Sequence, residues 1–352
     1  MKANNCATNY FMAANGYCGF RNYFKEVFAP QNYTRLYVLK GGPGTGKSSL
    51  MKKVCEEFLR LGYECERIYC SSDPNSLDGV TLEKKGKKFG ILDGTAPHET
   101  DAKIPGAIDE IINLGAAWKK NRLRDERNTI EKINKRKAGH YKEAYEYLRV
   151  GGIVSGEMER GILDAYQGFD LQFINDVLYD IKENAPNYKQ KTRLLSSFSK
   201  NGYQQLNPKE TYPKGITVTG SFGSEYVFLN NLLEEVVKRK ISHTRFPSPF
   251  SDKLTEAIYL NDSDTLVTSL EIYEDTLDTS TFLDPARLNQ NKEKFTYYRK
   301  LREELLSRAQ NEFSLASQAH FELEKIYSST MDFDVINQIT EDILREIKEY
   351  SL

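Results

Sequence analysis

The chain has 352 residues, 39% hydrophobic and 12% aromatic, with 49 basic against 50 acidic side chains and a formal net charge of −1. This composition excludes a disordered chain, the length suits about two domains, and the near-neutral balance removes any global electrostatic case for nucleic acid. No apolar run approaches the ~18 residues that span a bilayer and no apolar signal segment opens the chain, so a cytoplasmic protein outside the membrane is expected. The cysteines, Cys6, Cys18, Cys55, Cys65 and Cys70, are odd in number and lack C-x-x-C spacing. That argues against both a zinc site and a disulfide framework, and Cys55 and Cys70 read as small core hydrophobes.

In chain order, residues 8–13 read as a strand, Asn15-Gly16 as a turn and Phe20 to Phe28 as a short helix with aromatics at 20, 24 and 28. Arg35 to Leu39 is an apolar strand. It runs into Gly41-Gly42-Pro43-Gly44-Thr45-Gly46-Lys47-Ser48, which fits G-x-x-x-x-G-K-[ST], the Walker A or P-loop pattern. Glycines let the backbone curl so that its N–H groups converge on phosphate oxygens, and the helix that follows presents its positive end. Gly41 to Ser49 is therefore the expected nucleotide cradle, with Lys47 on the β- and γ-phosphates and the Ser48 hydroxyl on Mg²⁺. Leu50, Val54 and Phe58, flanked by Met51, Cys55 and Leu59, mark the buried stripe of that helix, which Gly62 can close.

Cys65 to Cys70 reads as a second strand, followed by the turn cluster Ser71 to Ser76, where Asp73 is either near the phosphates or an Asx-turn residue before Pro74. Lys88 to Asp93 is a third strand ending in an acid, the Walker B arrangement, so Asp93 is the expected metal-site carboxylate. Gly94 stands where many ATPases carry a Glu that orients water; Glu99 or His98 is the available substitute. Residues 107–114 read as a short helix ended by Gly115, and Trp118 opens a helical region to about Glu183. Its segment 119–137 holds Lys119, Lys120, Arg122, Arg124, Arg127, Lys132, Lys135, Arg136 and Lys137 against three acids, the mixture of a solvated helix face rather than a nucleic-acid contact.

The halves resemble one another. Asn15-Gly16-Tyr17 recurs as Asn201-Gly202-Tyr203. Lys214 to Thr219 leads into Gly220 to Val227 and a helix with Leu229, Leu232, Leu233, Val236 and Val237 on one face. Gly168-Phe169-Asp170 answers Asp332-Phe333-Asp334, and Asp176 to Glu183 answers Asp342 to Glu349. The chain reads as a tandem duplication, 1–187 and 188–352. In the second half Glu225, Tyr226 and Val227 stand for Gly46, Lys47 and Ser48, and the counterpart of Asp93 falls near Ser269, so that copy has lost its nucleotide chemistry.

The P-loop, the Ser-Ser-Asp-Pro-Asn-Ser-Leu-Asp-Gly turn at 71–79 and the Asp-Gly-Thr-Ala-Pro-His segment at 93–98 together resemble a family of uncharacterised bacterial tandem P-loop ATP-binding proteins. The resemblance covers nearly the whole chain and implies ATP as the ligand; it departs at Glu225 and Tyr226, where that family often keeps a second intact loop. The expected fold is α/β, two tandem P-loop NTPase-like three-layer αβα domains, each with a long helical arm, at 119–160 and 285–327. The expected function is a slow Mg²⁺-dependent ATPase with one working site, Lys47, Asp93 and Glu99 being the catalytic candidates. Alternatives are a small-molecule kinase, for which no compact Arg-rich lid is visible, or a non-catalytic ATP-dependent switch. The halves are expected to pack as an intramolecular pseudo-dimer, with Arg245 and Arg287 as candidate charges lent to the first site. Oligomeric state is open.

Overall fold

A computed structural model of the chain describes residues 7–168, 170–179, 181–184 and 186–351. Cys6 and Phe169, singled out above, lie outside the described residues. The first half contains β1 (Thr8–Phe11), β2 (Ala13–Gly16), β3 (Gly19–Asn22), α1 (Phe24–Val27), β4 (Arg35–Lys40) and α2 (Lys47–Arg60). These are followed by β5 (Glu64–Tyr69), β6 (Leu77–Lys84), β7 (Lys87–Asp93), β8 (Asp109–Asn113), α3 (Lys120–Asp125), α4 (Arg127–Ala165) and α5 (Asp170–Val177). The second half contains β9 (Gln190–Thr192), β10 (Ser196–Ser199), β11 (Gly202–Gln205), β12 (Gly215–Thr219), α6 (Ser224–Lys238) and β13 (His243–Pro247). It ends with β14 (Thr255–Leu260), β15 (Thr265–Thr268), β16 (Thr276–Asp278), α7 (Pro285–Ser328) and α8 (Phe333–Ser351).

The fold is α/β with two mixed six-stranded sheets, ordered β1-β5-β6-β7-β4-β8 and β9-β13-β14-β15-β12-β16. Strand senses correspond as well: β4 runs parallel to β7 and β8, and β12 to β15 and β16, while β6 and β14 are each antiparallel to both neighbours. Expectations differ at the strands: of the helix expected from Phe20 to Phe28, Phe20 to Asn22 pair with β2 as strand β3 and only Phe24–Val27 is helical. Residues 107–114 supply the edge strand β8, not a helix, because β4 offers Leu36 to Lys40 as a free ladder to Asp109 to Asn113. β6, unread in the sequence, pairs with β7 through a two-residue turn whose residues Lys85 (φ 51) and Gly86 (φ 77) are both left-handed, the geometry that keeps hairpin strands in twist.

Alternation along the strands divides the core. On β4, Tyr37 and Leu39 face the α2 side with Leu50, Met51, Val54 and Phe58, while Leu36 and Val38 face the other half. That second face of the first sheet, the hairpin segments and Phe24 and Phe28 share one core with Leu194, Tyr212, Phe246, Tyr259 and Leu266. Each sheet thus carries long helices on one face only. Where three layers were expected in each half, the far layer is the other half, and intramolecular packing of the halves is extensive.

The terminal helices are exchanged. α8 packs on the first sheet, burying Ile336, Ile343, Leu344 and Ile347 against the α2 core, and Ile174 and Leu178 at the end of α5 pack on the second sheet with Phe228, Leu229 and Leu232. Arg35, at the start of β4, donates to Glu346 of α8 at 2.7 Å and to Glu110 of β8 at 2.6 Å. The exchange follows from the arms. α4 (39 residues) and α7 (44 residues) are about 58 and 66 Å long at 1.5 Å per residue, and they lie antiparallel, so each delivers its chain to the opposite sheet. Phe313 packs with Ala144 and Leu148, and Phe295 with Met158 and Ile162. Asp284 caps α7 by accepting from Ala286 N (2.8 Å), with Pro285 at the first helical position.

Four buried aliphatic side chains of α8 at roughly 1.5–3 kcal/mol each rival the ~5–15 kcal/mol net stability of an ordinary domain. Residues 1–187 alone are therefore expected to lack cooperative thermal unfolding, and co-expression with 188–352 to restore a soluble complex. A monomeric 1–187 that unfolds cooperatively would show that α8 is dispensable.

Candidate functional site

β4 ends at Lys40 and α2 starts at Lys47, and the six intervening residues form a compact loop with Gly44 (φ 69) and Gly46 (φ 85) in the left-handed region. Side chains rarely adopt that backbone, so the glycines are required by the curl. Gly46 is the N-cap of α2 and offers no capping side chain, and there is no acid in the first turn, so the helix N-terminus keeps its positive potential. Thr45 Oγ1 donates to Gly42 O at 2.9 Å and braces the turn. Pro43 lies within it and Ser49 is exposed.

Lys47 Nζ donates to Gly41 O (2.7 Å) and Gly42 O (2.9 Å) and lies 3.5 Å from Asp93 Oδ2. Asp93 is placed by the sheet: it pairs across from Leu39, the residue before the last of β4, and its Oδ1 accepts from Thr95 N (2.9 Å) and Thr95 Oγ1 (2.6 Å). Ser48 Oγ accepts from Leu77 N at 2.9 Å. Lys47, Ser48 and Asp93 are thus brought to one place. Gly94 has a steric reason: a Cβ there would overlap Val38 Cγ1 and stand 2.9 Å from Thr100 O, so the Glu seen after the strand acid in many ATPases does not fit.

Of the two proposed substitutes for that Glu, Glu99 is exposed and His98 is buried. The imidazole stacks on Phe24 (4.5 Å between centroids), with Nδ1 3.0 Å from Asp93 O and Nε2 3.3 Å from Asp78 Oδ2. Both partners are acceptors and a neutral ring donates only once, so this geometry fits imidazolium. Burial alone would lower the His98 pKa, but the hydrogen bond and charge of Asp78, with the charge of Asp93, raise it above the ordinary value. A base already protonated is not available to take a proton. Asp78 escaped the sequence reading because β6 did; the Lys85-Gly86 turn before the Phe89 strand was the signal that could have found it. Asp73 makes the Asx contact, Asn75 N to Oδ1 at 3.4 Å, and lies 3.6 Å from Lys200 Nζ.

The second half does reach the loop, though not through the arginines expected. Arg245 pairs with Asp252 (3.7 Å) and Arg287 with Asp284 (3.7 Å), all within the second half. Instead, a Cβ on Gly44 would lie 2.8 Å from Glu324 O of α7, Gly42 is backed by Trp118 and Tyr327, and Gly46 by Ile336 of α8.

The corresponding turn of the second half is shorter, with four residues, Gly220 to Gly223, between β12 and α6. Phe58 and Val236 hold matching places, each carbonyl accepting the amide five residues on, Tyr63 N and Ile241 N (both 3.0 Å). Counting back from them sets Ser224, Glu225 and Tyr226 opposite Gly46, Lys47 and Ser48, one residue earlier than the sequence comparison. In either register no lysine stands at the start of α6. Ser269 follows Thr268, which pairs with Thr217, and so takes the register place of Asp93. Glu256 likewise takes that of Asp78, fully buried and accepting from Ser196 Oγ (2.6 Å) and Tyr203 Oη (2.7 Å). No protein-family model, curated protein or solved structure matches the chain, so the site's chemistry is argued from its residues.

Burial pushes the Glu256 carboxyl up to about 7 against its two donors. The folded state then holds a proton that the unfolded chain releases above the ordinary value of 4.5, so this group's contribution falls as pH rises from 4.5 to about 7. The total is roughly 3 kcal/mol. Glu256→Gln should flatten the denaturant-midpoint profile over that window; an unchanged slope would place the titration elsewhere.

Proposed function

We propose that the glycine-rich loop of the first half is a P-loop binding one Mg²⁺·ATP per chain, and that the chain is a slow ATPase belonging with the tandem P-loop proteins its motifs resemble. The convergence of Lys47, Ser48 and Asp93 on a loop with two left-handed glycines carries the reading. Lys47 rests on two carbonyls of its own loop, where phosphate oxygens would be the stronger partners for an ammonium. Ser48 Oγ and an Asp93 oxygen are hard donors of the kind Mg²⁺ takes while keeping water and phosphate ligands, so the residues fit that ion. When bound, it would supply charge neutralisation at the phosphates. The matching strand orders support a duplication whose second copy serves as scaffold.

A non-hydrolysing nucleotide switch is the second reading, favoured by the crowding at Gly94 and by the double engagement of His98. Steady-state phosphate release separates the two, and release that depends on an added acceptor would instead indicate a kinase.

Titration calorimetry is expected to give one ATP per chain. Lys47→Ala should weaken binding by about 30- to 150-fold, since an ammonium bonded to phosphate in a partly dry site contributes ~2–3 kcal/mol. Two ATP per chain, or affinity unmoved by that substitution, would remove this assignment. Asp93→Asn should leave metal-free binding largely intact while abolishing its Mg²⁺-dependent part and any turnover. Unaltered turnover would move the metal acid elsewhere.

A further inference from the structure

Eight of the nine basic residues between 119 and 137 are exposed, as a solvated face requires; Lys137 alone is half-buried. Among the described residues no carboxylate or carbonyl is paired with its ammonium, and burial without a compensating charge lowers its pKa. Its place on α4 is bracketed on both sides. One turn earlier, Ile133 packs on Ala319 and Leu323, next to Glu324, whose carbonyl abuts Gly44 of the loop. One turn later, Tyr141 lies beside Ser72, in the turn that leads to Leu77 and its contact with Ser48. Residues 133, 137 and 141 share a helix face. Lys137 thus stands one turn from Ile133, whose α7 partners adjoin the residue that abuts the glycine-rich loop.

The second half carries an independent observation. Trp118 bridges to Met331 and Leu283 to Tyr166, so α4 leaves the first sheet as α7 leaves the second. Lys137 stands 19 residues beyond Trp118 (137 − 118), and Arg302 stands 19 beyond Leu283 (302 − 283). Burial raises the Glu225 carboxyl's pKa, and the charge of Arg302, near it but not paired with it, opposes the rise. In the half without the loop lysine, the arm's cation therefore lies within electrostatic reach of a carboxylate, with no ion pair formed between them. In the half that kept the lysine, the equivalent cation has no anion of the chain to meet.

We propose that Lys137 is a second cation of the nucleotide site, carried by the arm, which contacts the terminal phosphate of the triphosphate bound in the loop. This rests on the nucleotide reading above. An ammonium added at the outermost phosphate distinguishes triphosphate from diphosphate, because only the former reaches it.

The test is calorimetric binding of Mg²⁺·ATP and Mg²⁺·ADP to the full chain as wild type, Lys137→Ala, Lys137→Met and Lys137→Arg, with Arg302→Ala as the matched position on the other arm. Both neutral variants should weaken ATP about 10- to 100-fold, the range of one charge-assisted hydrogen bond, and ADP less than about threefold. Lys137→Arg should retain most of the ATP affinity and Arg302→Ala should leave the ATP-to-ADP ratio unmoved. Lys137→Met preserves the side chain's bulk, so packing loss alone would spare it. Equal loss of ATP and ADP, or no loss, in variants melting at the wild-type temperature overturns the arm cation while leaving the loop site intact. A wild-type chain binding neither nucleotide overturns the nucleotide reading and this inference together.

Discussion

The packing of α8 against α2 and the first sheet is the contact on which the rest of the molecule depends. Its cause is length. An arm of 39 residues carries the chain about 58 Å from the sheet that began it, far beyond the reach of a short return, so the next helix finds the opposite sheet. The second arm brings the chain back antiparallel to the first, and two long helices that could not stand singly in water bury their stripes against each other. Neither sheet then has a complete core made from its own half. The glycine-rich loop inherits this dependence, since its outer side is backed by Tyr327 and Ile336 from the far end of the chain.

The two sheets share strand order and strand sense, but their turns after β4 and β12 diverge by two residues, six against four. A short turn does more than drop the ligating side chains. It starts α6 earlier relative to its own core and leaves too little backbone to curl around an anion, so no single substitution at Glu225 or Tyr226 restores the first geometry. Around the first loop, polar groups converge from β4, α2, β6 and β7; around the second, Glu256, Tyr203 and Ser196 bond one another and fill the space. Local cores tolerate this exchange because packing, not ligand chemistry, holds each sheet.

How far the sequence could be read depended on the kind of signal. The loop residues carry their own geometry, and Asp93 is legible because a strand next to β4 that ends in an acid has one place to put it. The second arm was legible to within a few residues, as 285–327 against Pro285–Ser328, because its apolar spacing persists over many turns and Asp284-Pro285 marks a start; the first, read as 119–160, breaks at Glu126 and runs from Arg127 to Ala165. β8 was misread because Ile104, Ile108 and Ile111 are spaced as on a helix, and short apolar runs do not separate strand from helix. Only the vacant edge of β4 decides it. β6 was hidden behind a turn cluster, and with it went Asp78 and the fixed charge state expected of His98.

Taken alone, the sequence determined the local pieces: a strand, a glycine-curled turn and a helix with Lys47 and Ser48 at its first positions, two long amphipathic arms, and a second strand, turn and helix without a lysine at the turn. These are set by spacing within a few residues of each other, where backbone geometry leaves few choices. Tertiary structure decided which half each terminal helix serves, the one-residue register of Glu225 against Lys47, and the engagement of His98. The first of those depends on residues more than a hundred positions apart meeting through the arms, and the engagement of His98 on strand pairing that sets Asp78 beside it. Spacing along the chain carries no record of such meetings.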